Sequence, residues 1–250
     1  MLELNTIYCG DCLEIMQDIA DHSVDCILCD LPYGTTRAAW DVIIPFGALW
    51  EQYKRVIKEN GVIILTGTEP FSSRLRLSNL DWYKYDWIWN KIAPVGFLNA
   101  KKQPLRVTEN ISVFYQHQPV FHPQMTHGHE RKQAKQRKPL SCELYNRGGT
   151  AIEYDSTDRY PLNIQAFSMD KQKSHLHPTQ KPVDLFKYLI RTYTNPGAVV
   201  LDNCIGSGTT AIAALETARR FIGIELQEKY VDIANARIAQ YFQELSSERA

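Results

Sequence analysis

Apolar residues along this chain fall into two alternating spacings. Short apolar runs are followed by stretches in which apolar positions recur every three or four residues. The runs at 6–9, 24–30, 62–66, 198–202 and 221–225 are bounded by polar or turn residues. Continuous runs of this kind predict strands buried on both faces. Residues 83–90 alternate aromatic with other side chains, and 111–115 completes a count of seven strands.

The helical spacing follows a consistent logic. Asp11 can cap a helix that carries Leu13, Met16 and Ile19 on one face. A second helix, with Leu49, Tyr53, Val56 and Ile57 apolar, is expected to end at Asn60-Gly61. Others are expected over 69–80, over 209–217 and over 228–244. One more starts with Pro182 at its first position and buries Leu185, Leu189 and Ile190. Strands separated by helices predict a mostly parallel, Rossmann-like α/β sheet covered on both faces. The 83–90 and 111–115 strands have no helix between them and should pair antiparallel.

The regularity breaks once. From 116 to 176 no strand or helix period persists, and Gln, His, Lys, Arg and Gly dominate. A loop this long inside a compact domain is functional or disordered. The expected organisation is therefore 1–115, an irregular basic insert 116–176, and 177–250 as the second half of the first domain.

Charge sharpens that division. The formal net charge is zero, yet residues 1–90 hold 7 Lys+Arg against 13 Asp+Glu, and residues 91–147 hold 10 against 3. One middle segment thus carries the cations, as a polyanion-facing surface or a solvated basic loop would. No stretch approaches eighteen consecutive apolar residues, so no membrane span is expected. Met1 to Thr6 has neither a basic start nor an apolar signal core, so a cytoplasmic protein is expected.

Cysteine spacing invites a metal reading that strand geometry rejects. Cys9-x-x-Cys12 and Cys26-x-x-Cys29 look like zinc half-sites. In a strand, however, side chains three apart point to opposite faces, so Cys26 and Cys29 cannot share an ion. His122, His127 and His129 lie in a polar loop without a second metal-like element. No metal is expected.

Two stretches carry candidate chemistry. Asp30-Leu31-Pro32-Tyr33-Gly34 puts a carboxylate and an aromatic ring at the carboxyl end of a buried strand, the edge where open α/β sheets bind ligands. Asp202 to Thr210 joins a strand to a helix through Gly206 and Gly208, which let the backbone turn tightly near a ligand. It has no Gly-Lys-Ser/Thr phosphate signature. Glu225 ends the next strand, about where an acid binds ribose hydroxyls. This unit suits an adenosine with a charged tail and no phosphates.

Taken in order, these stretches resemble the permuted β-class DNA amino-methyltransferases. Asp30-Leu-Pro-Tyr33 is similar to their catalytic D/N/S-P-P-Y motif, with Leu31 in place of the commoner proline. His177-Pro-Thr-Gln-Lys-Pro182 resembles the element just ahead of the cofactor region, and Asp202–Thr210 the D-P-F-x-G-S-G-T-T loop. Gly10-Asp11-Cys12 resembles the family's G-D motif. The resemblance implies S-adenosyl-L-methionine as cofactor, held by Asp11, Cys12, His177, Thr179, Lys181, Asp202, Cys204, Gly206, Gly208, Thr209 and Glu225. It implies catalysis by Asp30, the Leu31 carbonyl, Pro32 and Tyr33, with Tyr33 stacking on a flipped base. Residues 1–115 become the catalytic half and 177–250 the cofactor half.

Double-stranded DNA is the implied partner, read by the 116–176 insert, and the resemblance allows a homodimer. Arg131, Lys132, Lys135, Arg137 and Lys138 are candidates for phosphate contacts, with Lys101, Lys102 and Arg106 on the same face. Asn146 and Arg147 are candidates for base edges. Asp at position 30 leans toward the N6 amine of adenine, since the cytosine-N4 enzymes more often carry Ser. Cytosine N4 stays open, as do a protein-glutamine methyltransferase and an inactive DNA-binding homologue. No nuclease or helicase segment is read, so a stand-alone modifier is expected.

Overall fold

A computed structural model describes residues 2–36, 38, 40–135, 153–169 and 180–248. All seven expected strands form, as β1 (Thr6–Cys9), β2 (Val24–Cys29), β3 (Ile57–Gly67), β4 (Tyr83–Val95), β5 (Arg106–Phe114), β9 (Val199–Asp202) and β10 (Arg220–Glu225). An eighth, β8 (Ile164–Ala166), joins them in one sheet of order β1-β10-β9-β2-β3-β5-β4-β8. Neighbours pair parallel except β5, which runs antiparallel to both β3 and β4.

Helices cover both faces. Phe46–Val56 (α2) and Phe71–Leu77 (α3) pack over Ile27, Cys29, Ile63 and Leu65. Val183–Tyr193 (α4), Thr209–Glu216 (α5) and Glu228–Glu248 (α6) lie on the other side, over Cys26, Leu28, Val62 and Ile64. Cys26 and Cys29 therefore point into different layers, as strand geometry requires.

Several boundaries differ from expectation. The first helix is a single turn, α1 (Cys12–Ile15), continued by a 3₁₀ turn over Met16–Asp18. Helix α2 stops at Val56, because Ile57 pairs with Val24 and starts β3 early, placing Asn60-Gly61 inside the strand. Pro182 is extended and caps α4 rather than opening it. The stretch read as lacking strand period contains three short strands: β6 (Lys132–Lys135), β7 (Glu153–Ser156) and β8. They are only three or four residues long, too short for an alternation to mark them.

Compactness groups Met1–His122 with Asn163–Ala250, and separately Pro123–Leu162. In the smaller unit β6 and β7 pair antiparallel, and Thr126 and Arg159 form a further antiparallel bridge. Arg131 donates to both carboxylate oxygens of Asp155 at 2.7 and 2.6 Å. No described helix is long and apolar enough to cross a membrane.

Candidate active site

The chain order reverses between β2 and β9. From β2 the sheet grows one way through β3, and from β9 the other way through β10 and β1. Such a switch point opens a crevice beyond the carboxyl ends of the strands. Asp30, Asp202, Glu225 and Asp11 all line one cavity there, of about 510 Å³. That is the size of a small-molecule site.

Asp30 is held by three side chains from three different elements. The Tyr33 and Thr66 hydroxyls each donate to its Oδ1 at 2.5 Å, and the Lys181 ammonium donates to Oδ2 at 2.6 Å. A carboxylate offers about four acceptor directions. One, on Oδ2, is left for another donor.

Behind this shell sits Glu109, 5% exposed, in the amino-terminal half of the antiparallel β5. It pairs with Lys181 at 3.0 Å and Lys91 at 2.7 Å, and Tyr33 Oη lies 3.0 Å from it. Burial alone would raise its pKa, but the two ammonium groups outweigh that and hold it below the usual carboxylate range. For Lys181 burial acts downward, and Asp30 and Glu109 outweigh it, keeping the amine charged. Burial first, then the two carboxylates, push the Tyr33 phenol well up, so Tyr33 stays a neutral donor.

Tyr33 is placed differently from a free stacking platform. Phe71 stacks against its ring at 4.9 Å between centroids, and the Lys181 ammonium lies 5.6 Å from the ring centre. Its visible task is to orient Asp30. Leu31 buries its side chain in the core beneath α2, which accounts for an aliphatic residue at this position. Among the described residues no donor reaches the Leu31 carbonyl. The segment beyond is fastened by Asp41, whose oxygens accept the backbone N–H groups of Gly34, Thr35 and Thr36 at 2.8, 2.9 and 2.6 Å.

The glycine loop is organised by its own acids. Asp202 accepts from the Cys204 N–H at 3.0 Å and from the Thr210 hydroxyl. Burial pushes its pKa up to about 7 against those hydrogen bonds. Asp202 thus shapes the loop as well as lining the cavity. Asn203, where the resembling motif has proline, accepts from Tyr53 Oη at 2.6 Å and donates to the Cys12 and Cys204 sulfurs at 3.5 and 3.6 Å. Glu225 accepts from the N–H groups of Gly206 at 3.0 Å and Gln227 at 2.9 Å, and burial raises its pKa.

Gly208 does not line the cavity. Its φ is +83°, and a Cβ there would lie 2.9 Å from Ala234 Cβ on α6. Gly208→Ala is expected to lower stability by at least about 1–2 kcal/mol, from the left-handed backbone alone. Urea denaturation checks this, and an unchanged midpoint would refute it.

The structure brings together most of the residues expected from the sequence. Asp11, Cys12, Asp30, Leu31, Pro32, Tyr33, Lys181, Asp202, Cys204, Gly206, Thr209 and Glu225 share the cavity. Lys181, expected on the cofactor, has its ammonium on Asp30 and Glu109 instead. Arg106 lines the same cavity, and Lys101 and Lys102 are exposed nearby in sequence. Arg131, expected on phosphate, is engaged by Asp155, while Lys132 is exposed. His177, Thr179, Arg137, Lys138, Asn146, Arg147 and the Lys135 side chain lie outside the described residues. Sequence reasoning missed Thr66, Lys91, Glu109 and Asp41. A signal existed for two of them: Thr66 closes one apolar run and Glu109 precedes another, and antiparallel pairing puts both at one sheet edge.

A carboxylate-rich crevice at the switch point of a doubly wound sheet, with a glycine loop and a ribose-type acid, defines a nucleoside-binding α/β enzyme. The chain belongs to the DNA methylase family, whose model matches residues 24–236. It is 30% identical to the type II methyltransferase M.HinfI of Haemophilus influenzae, covering 95% of this chain and 69% of that one. It is 27% identical to the type II methyltransferase M1.MboII of Moraxella bovis, covering 94% and 96%. The solved complex of M1.HpyAVI with SAM superposes with a TM-score of 0.60 at 26% identity, covering 93% of this chain and 98% of that one. The fold is also that of the cytosine-N4-specific PvuII DNA methyltransferase, with a TM-score of 0.64 at 16% identity over 92% of this chain and 84% of that one.

Proposed function

We propose that the enzyme transfers a methyl group from S-adenosyl-L-methionine to the exocyclic N6 amine of adenine in double-stranded DNA. The observation that carries this reading is the Asp30 carboxylate, fixed by Tyr33, Thr66 and Lys181 with one acceptor direction spare.

The residues fit the cofactor. Glu225 keeps acceptor capacity beyond its two backbone bonds, as ribose hydroxyls require. Gln180 lines the cavity, and its buried Oε1 has no hydrogen-bond partner among the described residues, so it calls for a donor. Asp11, Cys12, Cys204 and Gly206 complete the wall. When bound, S-adenosyl-L-methionine supplies an electrophilic methyl group on a sulfonium.

The amine nitrogen is a poor nucleophile because its lone pair is delocalised into the base. Asp30 Oδ2 accepts one amine hydrogen and the Leu31 carbonyl the other. Both acceptors favour the pyramidal, partly positive nitrogen of the transition state over the planar ground state. Asp30 then takes the proton that nitrogen releases, while Lys181 keeps the carboxylate oriented. Pro32 fixes the backbone that aims the carbonyl. The target base must leave the duplex to reach this crevice. A cytoplasmic location belongs to the same proposal.

Labelled cofactor and mixed-sequence duplex DNA test it directly. Label is expected in N6-methyladenine after digestion to nucleosides. Label in N4-methylcytosine would transfer the same mechanism to the other base, and no label in DNA would overturn the proposal. Glu225→Ala is expected to weaken cofactor binding by roughly ten- to a hundredfold, the loss of a charged acceptor. Calorimetric titration reads it, and unchanged affinity would remove Glu225 from the ribose role.

A further inference from the structure

Strands β4 and β5 form a long hairpin whose tip is unusually apolar for a surface. Phe97 is 82% exposed and Leu98 98%, and Ile92 and Leu105 are exposed beside them. Apolar groups clustered at a surface mark an interaction site. The tip is also built to hold its shape. Gly96, at φ +91°, turns the chain into a 3₁₀ turn over Phe97–Asn99. Asn99 N–H donates to Gly96 O at 2.9 Å, Ala100 N–H to Phe97 O at 3.0 Å and Lys102 N–H to Asn99 O at 2.8 Å.

Its surroundings select the partner. Between Lys91 and Thr108 there is no Asp or Glu. Lys101, Lys102 and Arg106 are exposed on this segment, and none makes an ion pair among the described residues. The hairpin runs straight from the site. Val95 and Arg106, which pair at its upper end, line the same cavity as Asp30. Arg106 stands three residues from Glu109, on the order of 10 Å along the strand. An apolar tip thus projects beyond the amine-accepting carboxylate, with cations at its base.

We propose that Phe97 and Leu98 form a wedge that enters the base stack of duplex DNA and holds open the gap left by the flipped target. Apolar side chains inserted between base steps offset lost stacking in this way. Lys101, Lys102 and Arg106 take the flanking phosphates and set the depth of entry. The inference rests on DNA being the substrate. It assigns the opening of the duplex to this hairpin, a role separate from stacking on the flipped base.

The test compares wild type with Phe97→Ala/Leu98→Ala, whose targets are exposed and leave the core untouched. Sequencing the methylated positions in mixed-sequence DNA first supplies a target site. Two duplexes then carry that site, one fully paired and one with a mismatch at the target base. The double variant is expected to lose about ten- to a hundredfold in kcat/KM on the paired duplex, the scale of a lost base–aromatic stack. On the mismatched duplex, whose target is already loosened, the loss should shrink to about twofold, and Phe97→Trp should retain activity on both. Equal losses on the two duplexes would make the tip a plain contact and overturn the wedge. So would wild-type activity throughout, or a variant whose only change is the loss of a dimer in sedimentation. Failure of the wild type to methylate any DNA would instead overturn the proposed function.

Discussion

Asp30→Ala is expected to lower the methyl-transfer rate by at least about 10²–10³-fold while cofactor affinity stays within about threefold. Removing one preorganised group that stabilises developing charge costs that much. The loss should be catalytic because Asp30 follows β2 while Glu225, the acid proposed to hold ribose, ends β10, with β9 between the two strands. The fold should survive, since Lys181 keeps Glu109 and Glu109 keeps Lys91 as partners. Single-turnover kinetics and equilibrium dialysis separate the two readouts. Parallel loss of cofactor binding would show that Asp30 has been given the wrong role.

Lys181→Met should produce the largest change in stability. Its ammonium sits between Asp30 and Glu109, at 2.6 and 3.0 Å. Without it the buried Glu109 and the half-buried Asp30 lose their shared cation, with only Lys91 left to compensate. Removing one partner of a buried ion pair typically costs about 3–5 kcal/mol. The sign with pH follows from the shifts. Glu109 is depressed below its ordinary value, so its contribution is complete above about pH 4.5 and fades as pH falls through its lowered pKa. The Lys181 contribution is complete below about pH 10 and fades only in stronger alkali.

In the variant Glu109 loses one of the two ammonium groups that hold its pKa down. The deficit of the variant against wild type should therefore be greatest near pH 7 and shrink toward pH 4, as Glu109 protonates more readily. Urea midpoints at pH 7 and 4 test this. Equal midpoints at pH 7 would deny the network any structural part.

Much of this was legible because it is written locally. The buried strands announce themselves as apolar runs, and a carboxylate after such a run lands at the binding edge of a parallel sheet. Gly206 and Gly208 mark a turn that other residues cannot make comfortably, and Glu225 follows one strand later. Lys181 was recognisable as part of a motif, but its partner was not. Asp30 lies 151 residues away in sequence, and nothing at either position specifies the other. Glu109 looks in the sequence like any polar residue ahead of an apolar run. It reaches the site because β5 runs backwards between β3 and β4, bringing its amino end to the edge where its neighbours end. The strands at 132–135, 153–156 and 164–166 were invisible, being only three or four residues long.

By itself, then, the sequence determined the layered sheet, the catalytic and glycine-loop stretches and the basic middle of the chain. These depend on periodicity and on conformations open to few residues. Only the tertiary structure decided which charges neutralise one another. Ion pairs between Asp30, Lys181, Glu109 and Lys91 join segments that meet through strand order, and strand order is set by packing across the whole sheet. The same packing decided that Tyr33 braces the carboxylate against Phe71, and that an apolar hairpin tip stands beyond it.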